Sequence, residues 1–431
     1  MSTTPGLDQT PAPRRFTLPR QPAFVGTALG FTSLYLAAGV LTPLLVVYRE
    51  QWGFPPSMLT VAFAAYAIGF LAAVLTFGSL SDHVGRRPVL IGALLVQVAA
   101  TVIFLVAPDI GWVIAGRIVQ GVASGAATAA FTAALVELSP PARRSLGATL
   151  GSVGLTGGLA VGSLIAGVAI QFIPDANTVI FTGLLVLTII AVGVALFSPE
   201  TARRTPGAVR SLIPRVSVPR TARREFVAAA PVVAAVWMLA GLSGGLAPSM
   251  VRSVFHLDSG VLNGVAGFIT PAVSVITGFA LARVAPRRAM TIGIIAAIAG
   301  SLGIIGGVFA GSLALMFIGQ AIAGVAFGAS FTAALGLIIP LVAPQQRAGV
   351  VAAIYVVSYT AFGVPIIVEG QLVGVVGEVP AVVGYAALTI LLAVISLFAQ
   401  AVTGRRTAAD SSGGRTAGSV DARPASAAPT R

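Results

Sequence analysis

The sequence predicts an all-α membrane protein with twelve transmembrane helices arranged in two halves of six. Its 431 residues are 56% hydrophobic and 9% charged, with a mean hydropathy of +0.97, whereas a soluble domain carries about 25% charged residues. Twelve apolar runs are each long enough to cross a bilayer, which takes about 20 residues. One long basic stretch separates the first six runs from the last six.

The apolar runs define the predicted helices, numbered one to twelve along the chain. The first six lie at 24–47, 57–80, 88–107, 111–136, 147–173 and 177–197. The last six lie at 227–250, 260–283, 289–310, 312–339, 349–374 and 379–403. We therefore expect an N-terminal six-helix bundle over 23–197 and a C-terminal bundle over 227–403. The proline-rich segment 1–22 and the Ala/Ser/Gly/Arg-rich segment 404–431 are predicted to be disordered cytoplasmic tails.

The arginines predict the orientation of the helices in the membrane. All 26 basic residues are arginine, and with a cytoplasmic N-terminus 23 of them fall in inner loops and tails. Arg49 and Arg252 fall in outer loops, and Arg117 lies within helix four. Because basic residues concentrate on the cytoplasmic side, we expect a multi-pass plasma-membrane protein with both termini in the cytoplasm.

The central stretch 198–226 is predicted to be a basic cytoplasmic linker between the bundles. It contains seven arginines and four prolines, a composition that suits a flexible segment touching anionic lipid headgroups. Specific regulatory binding is the alternative interpretation of this stretch.

Composition also excludes several kinds of function. Without cysteine, and with only His83 and His256, thiol chemistry is excluded and a histidine-built metal site is not expected. Without lysine, no phosphate-binding Gly-x4-Gly-Lys-Ser/Thr loop is possible, so the chain is not an ATP-driven pump. The net charge of +13 lies in loops beside apolar helices, which indicates a lipid bilayer rather than nucleic acid. We expect no enzyme, no cofactor and a monomer, with a non-transporting receptor as a remaining alternative.

The two halves carry a weak internal repeat. Residues 116–129, GRIVQGVASGAATA, resemble residues 319–332, GQAIAGVAFGASFT, at an offset of 203. Arg86 and Arg87 recur as Arg287 and Arg288 at an offset of 201. Repeats of six helices are typical of secondary transporters, in which two bundles rock around a site near the bilayer midplane. Chance similarity between Gly/Ala-rich segments is the alternative.

Residues 78–90, GSLSDHVGRRPVL, resemble the signature loop between helices two and three of the major facilitator superfamily. The matching positions are Gly78, Leu80, Ser81, Asp82, Gly85, Arg86 and Arg87, and His83 replaces the usual basic residue. Twelve helices, a basic central loop and the repeat agree with this family, which the chain resembles over about 24–403. Among its members the pattern is most similar to bacterial sugar- and drug-efflux permeases.

The motif residues have readable physical roles. Gly85 permits the tight reversal between helices two and three, while Arg86 and Arg87 anchor the inner face. Asp82, at the membrane edge, needs a partner or solvent, and Glu137 at the inner end of helix four is a candidate member of this cluster. The resemblance implies that the cluster, with Gly78 in the loop, latches the inner side of the outward-open state near the start of helix eleven. A static structural loop is the alternative.

The second half has Arg283 where an acid would align, so the latch is expected to depend mainly on the first half.

Three further polar positions are candidates for substrate binding or proton coupling. Arg117 lies at membrane depth, where a charge is costly and usually faces a polar cavity. Arg117, Gln120 and Gly121 resemble the family's helix-four motif, whose arginine is linked to proton transfer in efflux members. Gln320, the repeat-mate of Arg117, is expected to face it across the cavity. A structural hydrogen bond to nearby carbonyls is the alternative for Arg117.

Glu369, deep in helix eleven, is a candidate proton-binding carboxylate, with a polar residue near the outer surface as its alternative. Helix five resembles the glycine-rich antiporter motif at Gly158, Gly162 and Gly167, but Ser163 and Ala166 depart from that motif. Close helix packing alone would explain the same glycines. Weaker candidates for lining the transport path are Tyr35, Trp237, Asn263, Tyr355 and Tyr359.

These features predict a secondary active transporter that moves a small neutral or amphiphilic solute by alternating access. We favour proton antiport, in which the entry of protons drives the export of the solute. Metabolite uptake or uncoupled exchange by the same fold is the alternative.

Overall fold

The computed structural model describes residues 17–140, 142 and 144–417 of the chain. Within these ranges, twelve helices are long and apolar enough to cross a membrane, which confirms the predicted fold class. Helices α1 to α6 are Arg20–Trp52, Pro56–Phe77, Arg86–Val106, Ile110–Leu138, Ser145–Phe172 and Ala176–Phe197. Helices α7 to α12 are Arg220–Ser253, Gly260–Ala280, Pro286–Phe309, Leu313–Leu341, Pro344–Val376 and Glu378–Thr403.

Several helices extend beyond their apolar runs, because backbone hydrogen bonding continues where polar side chains reach the membrane edge. Helix α1 begins at Arg20, inside the segment predicted as a tail, and α7 begins at Arg220, inside the predicted linker. Helix α12 continues to Ala417, past the predicted start of the C-terminal tail, and 1–16 and 418–431 lie outside the described residues. Arg49 and Arg252, expected in outer loops, lie near the ends of α1 and α7.

The internal repeat is visible as two equivalent helix contacts. Gly121 of α4 packs against the Tyr66 carbonyl of α2, and Gly324 of α10 packs against the Thr270 carbonyl of α8. A Cβ on Gly324 would lie 2.7 Å from that carbonyl oxygen, so only glycine allows the two backbones to approach this closely. The two contacts are related by the offset that the sequence repeat indicated.

The two halves meet along two pairs of helices, α2 with α11 and α5 with α8. Gly167 of α5 packs against Gly260 and Gly264 of α8, and the Ser163 hydroxyl donates to the Gly264 carbonyl at 3.0 Å. Gly158 packs against α1 in the same way, beside the Thr32 carbonyl. The small residues of α5 therefore allow this helix to pack closely between α1 and α8. Close packing was the alternative to an antiporter motif for these glycines.

Polar residues cap four helices at one end of the bundle. The Asp109 carboxylate accepts from the backbone N–H groups of Gly111 and Trp112 at the start of α4. Asp175, Ser259 and Ser312 cap α6, α8 and α10 in the same manner. These side chains satisfy backbone donors that have no partner within the helix.

Helix α7 contains one turn of π-helix, at Leu242–Leu246. Such turns are rare and often occur at functional sites, because they shift the helix register and free a carbonyl. Nearby, the Tyr385 hydroxyl of α12 donates to the Met238 carbonyl at 2.8 Å. The Gly-Gly pair at 244–245 lies in this turn, where α7 contacts Phe63 of α2.

The segment between α6 and α7 is attached to both halves. The Ser79 hydroxyl donates to the Ser211 carbonyl at 3.2 Å, and the Thr205 amide donates to the His83 carbonyl at 3.0 Å. Farther along, the Ser217 amide donates to the Gly349 carbonyl of α11 at 3.3 Å. The segment includes a short helix, Ala208–Ser211.

Replacing Gly121 by alanine should destabilise the protein by about 1–3 kcal/mol, because the added methyl group clashes with the α2 backbone. Gly183 in α6 is the matched control, since a Cβ there would have no atom within 4 Å. Gly183→Ala should leave the melting temperature unchanged or raise it, as alanine favours helix. Thermal unfolding of both variants in detergent tests this, and equal melting temperatures would contradict the packing argument.

Candidate functional site

A cavity of about 100 Å³ lies between the two halves. Its wall is built from α1, α2, α4 and α5 of the first half and from α7, α8, α10 and α11 of the second. The same four positions of each half contribute, so the cavity lies on the pseudo-symmetry axis. Ser243 and Gly244 of the π-helical turn in α7 also reach this wall.

Arg117 lies in the wall of this central cavity and is 3% exposed. Its guanidinium donates to the Gln120 side chain at 2.8 Å, to the Phe63 carbonyl at 3.3 Å and to the Ala38 carbonyl at 3.5 Å. It also lies over the Tyr66 ring, 4.7 Å from the centroid. The Nε atom has no hydrogen-bond partner, and no acidic side chain of the described ranges forms an ion pair with Arg117.

The glutamines predicted beside Arg117 lie outside the cavity wall. Gln120 positions the guanidinium through its Oε1 atom. Gln320 is fully buried behind Thr270, whose hydroxyl donates to the Gln320 carbonyl at 3.0 Å. The Gln320 side-chain amide has no partner. The expectation that Gln320 faces Arg117 across the cavity is not met, because Gln320 is fully buried and is not among the described residues that line the cavity.

Within the described ranges, seven aromatic side chains contribute to the remaining wall. Trp237 packs against Tyr359 at 4.7 Å and against Phe327 at 5.3 Å between ring centroids. Phe63 and Phe362 meet at 5.0 Å across the boundary between the halves. The Trp237 Nε1 atom is buried without a hydrogen-bond partner.

The weaker sequence candidates divide into three groups. Tyr35, Trp237 and Tyr359 line the central cavity. Tyr355 lines the larger opening described next. Asn263 is buried in α8 near its packing against α5, and it lines neither space.

A vestibule of about 1,370 Å³ opens at one end of the bundle. We call this end, formed by the 78–85 loop, the 198–219 segment and the start of α11, the basic face. Its wall includes Arg210, Arg215 and Arg347. The Tyr35 hydroxyl lies 2.8 Å from the Thr128 hydroxyl, which places a residue of the cavity wall beside one of the vestibule wall. The basic face therefore leads toward the cavity.

The motif residues form one charged cluster at the basic face. Arg86 pairs with Asp82 and, at 3.1 Å, with Glu137, and its guanidinium donates to the Ser81 hydroxyl at 2.8 Å. Gly85 has φ 101°, a conformation that strains any residue with a side chain. Gly78 ends α2 and, with Asp82 and Glu137, lines the vestibule.

Sequence reasoning missed Glu200, which completes this cluster. Its two carboxylate oxygens accept from the backbone N–H groups of Arg86 at 2.8 Å and Arg87 at 3.1 Å, at the start of α3. A carboxylate is favoured at a helix N-terminus. The Arg87 guanidinium donates to the Leu196 carbonyl at the end of α6. An acid directly after helix six, in the sequence SPET, was the available signal.

The second half has its own charged contact at the basic face. Arg287, at the start of α9, pairs with Glu225 of α7 and donates to the Gln400 side chain of α12 at 3.4 Å. Glu225 was assigned to the linker, so its role was missed. In the second half Arg283 stands where the motif of the first half has an acid. The acid that pairs with Arg287 is therefore Glu225, which belongs to α7.

The end opposite the basic face, which we call the far face, is closed by contacts between the halves. Glu50 at the end of α1 pairs with Arg252 of α7, which also contacts Asp258 at 3.1 Å. The Gln171 side chain of α5 accepts from the Gly260 amide of α8 at 3.0 Å. These contacts separate the central cavity from the far face.

Glu369 lies inside this closed region and is 2% exposed. A space of about 20 Å³ adjoins its carboxyl group, and Arg49, Thr60 and Glu378 share the wall of that space. Neither carboxyl oxygen has a hydrogen-bond partner. Glu369 is therefore buried in the interface of the halves, rather than being a polar residue at the outer surface. In the parts of the chain that the structure covers, no three His, Asp or Glu residues are grouped to hold a metal ion.

Sequence comparisons place this architecture among transporters. The family model described as Major Facilitator Superfamily matches residues 27–367. The chain is 31% identical over 137 residues to the inner membrane transport protein YajR of Escherichia coli, covering 32% of this chain and 28% of that protein. It is 29% identical over 167 residues to the 4-hydroxybenzoate transporter PcaK of Pseudomonas putida, covering 39% of this chain and 36% of PcaK. The matched segments thus span about a third of these relatives' own length.

Two solved structures share the fold over 88% of this chain. A human organic anion transporter, MFSD10, has a TM-score of 0.62 at 18% identity and is covered over its whole length. A bacterial homologue of the human lysosomal transporter Spinster, in an inward-facing and unoccupied conformation, has a TM-score of 0.67 at 14% identity, with 97% of it covered. At these identities the likeness shows the fold alone.

The family model extends over most of both six-helix halves, and the curated relatives are membrane transporters rather than enzymes. The chain belongs to the Major Facilitator Superfamily.

Proposed function

We propose that this transporter is a secondary active exporter that moves a small neutral or amphiphilic solute by alternating access, in exchange for protons. The observation that carries the proposal is the asymmetry of the two faces. The central cavity lies below an open vestibule at the basic face and is sealed from the far face by contacts between the halves. This is one of the two arrangements that rocking bundles require.

The distribution of arginine supports a cytoplasmic basic face in the plasma membrane, with both termini inside. In this orientation the described conformation is open to the cytoplasm, where an exporter collects its solute. The proposed active unit is the monomer, since a single chain encloses the whole cavity.

Arg117 is the proposed solute- or coupling-site residue, and Glu369 is the proposed proton-binding group that couples protonation to closure of the far face. An ionised carboxylate buried without a partner costs several kcal/mol, so closure of the far face around Glu369 favours its protonated form. When the far face opens, the same group meets water and can exchange its proton. Protonation is thereby linked to the inward-open arrangement.

We assign Asp82 and Arg86 to a contact that holds the basic face closed in the outward-open arrangement. The neighbouring residues that hold this pair in place are Glu137, Arg87, Gly85 and Gly78. Asp82 lines the vestibule together with residues at the start of α11, and its side chain is 58% exposed. Closing the basic face would bring the carboxylate toward the N-terminal end of α11, where the helix dipole favours negative charge.

Uptake of a metabolite, or exchange without protons, is the second candidate. The names of the relatives do not state a direction, since PcaK is a 4-hydroxybenzoate transporter and another relative is a Candida glabrata multidrug transporter, AQR1.

A strain that overproduces the protein should gain resistance to particular members of a panel of toxic compounds and sugars. Inside-out vesicles from that strain should accumulate the same compounds when the vesicle interior is acidic, because entering solute exchanges for leaving protons. Vesicles with the Arg117→Ala variant are the control. Uptake that reaches only equilibrium and is unaffected by an uncoupler would instead support the uncoupled alternative.

Glu369→Gln should hold the far face closed at every pH, because the neutral amide imitates the protonated acid. The chain has no cysteine, so spin labels at Gln51→Cys and Val375→Cys can report the opening by electron double resonance. In the wild type the closed fraction should fall as pH rises, because deprotonation of Glu369 disfavours the closed far face. Asp175→Asn, which removes an acid of the far face outside this space, is the control and should keep the pH response. An identical response in Glu369→Gln would rule out Glu369 as the proton-binding group.

Asp82→Asn should shift the equilibrium toward an open basic face by about 0.3–1 kcal/mol, roughly two- to fivefold, since it removes the charge that meets the α11 dipole. Labels at Val136→Cys and Gln345→Cys measure the width of the vestibule. Asp175→Asn removes an acid at the far face and serves as the control. An unchanged distance distribution in Asp82→Asn would indicate a static loop.

A further inference from the structure

We propose that the central cavity binds a singly charged organic anion that carries one ring, with the anionic group on Arg117 and the ring among the aromatic side chains. The inference rests on the proposed transport function and narrows its amphiphilic solute to one chemical class. Four features of the cavity and its entrance support it independently.

The first feature is unbalanced charge. Arg117 is the one ionised side chain among the described residues that line the cavity, and none of the acids in the described ranges pairs with it. Its contacts are carbonyl and amide oxygens and two aromatic rings, which leave the positive charge without a counter-ion. At membrane depth an uncompensated cation is costly. A single negative charge on the solute would offset that cost, whereas a second would have no partner.

The second feature is the chemistry of the unsatisfied groups. The Arg117 Nε and the Trp237 Nε1 are both buried without a partner, and both residues line the cavity. Each of these atoms carries an N–H group, which can only donate. The Tyr66 hydroxyl of the same wall is also buried without a partner among the described residues, and a hydroxyl can donate as well as accept. A site in which each free group can donate suits a ligand that supplies acceptors, as a carboxylate does with its two oxygens.

The third feature is shape. Trp237, Tyr359, Phe362 and Phe63 present ring faces and edges to the same space. Since about 10–15 Å³ of such space accommodates one water, a cavity of about 100 Å³ holds roughly seven to ten waters. A monocyclic acid with a similar number of heavy atoms would fill it.

The fourth feature is the entrance. Arg210, Arg215 and Arg347 line the vestibule and form no ion pair with any acid that the structure describes. The two acids of the same wall, Asp82 and Glu137, are both paired with Arg86. The entrance is therefore cationic, and it would concentrate anions and retard cations.

Trp237 provides the readout for a test in detergent, without any gradient. The variant Trp52→Phe/Trp112→Phe leaves Trp237 as the single tryptophan, and quenching of its fluorescence should report ligand in the cavity. We expect benzoate to bind about ten- to a hundredfold more tightly than benzyl alcohol, which has the same ring without the charge. Benzylamine and the dianion phthalate should also bind more weakly than benzoate.

Arg117→Gln in the same background should bind benzyl alcohol as before but lose the preference for benzoate. Arg210→Gln/Arg215→Gln should slow benzoate association and keep the preference. The proposal is overturned if the parent binds benzyl alcohol or benzylamine as tightly as benzoate, a comparison that needs no Arg117 variant to fold. Selective benzoate binding without transport in vesicles would refute the proposed function instead.

Discussion

Inside a bilayer no water is available to a backbone amide, a carbonyl or a charged side chain, so each must find its partner within the protein. In this chain the constraint is met by long helices for the backbone and by a few specific contacts for the charges. Charged pairs such as Arg86 with Glu137 lie at the bundle ends, where solvent assists them. Arg117 and Glu369 are the exceptions, since each is buried in the interface of the halves and neither forms an ion pair with a described residue. The proposed chemistry follows from these exceptions.

The same constraint explains the abundance of small residues. Lipid tails are as apolar as leucine, so helices gain little from hydrophobic burial and associate by close approach instead. Gly121 and Gly324 bring α4 and α10 against α2 and α8, while Gly167 and Ser163 bring α5 against α8. The contact of α5 with α8 joins the two halves, so the packing that stabilises the fold also has to shear when the far face opens. Stability and movement therefore depend on the same narrow contacts.

Much of this architecture was predictable because membrane spans depend on long, local runs of apolar residues. The twelve helices and the repeat between residues 116–129 and 319–332 needed only composition and spacing. The 78–90 motif likewise identified a cluster whose members, Asp82, Arg86 and Glu137, lie together in the structure. Helix ends were harder to predict, because α1 and α7 continue through charged residues that hydropathy assigns to loops.

The parts that sequence could not supply depend on contacts between distant segments. Glu200 caps α3 from more than a hundred residues away, and Glu225 reaches Arg287 from another helix. Gln320 lies outside the cavity wall, although its repeat alignment with Arg117 favoured a place in that wall. The π-helical turn in α7 could not be predicted, because its one local feature, a Gly-Gly pair, also occurs elsewhere in this sequence.

The segment between α6 and α7 sets a mechanical limit on the basic face. It is bonded to the first half at Ser211 and to the second at Ser217. Ser217 lies six positions after Ser211, and a fully extended chain covers about 3.3–3.6 Å per residue. The two anchorages can therefore separate by roughly 20 Å before one of their hydrogen bonds must break. The segment therefore limits how far the two halves can separate at the basic face. It must become more compact each time that face closes.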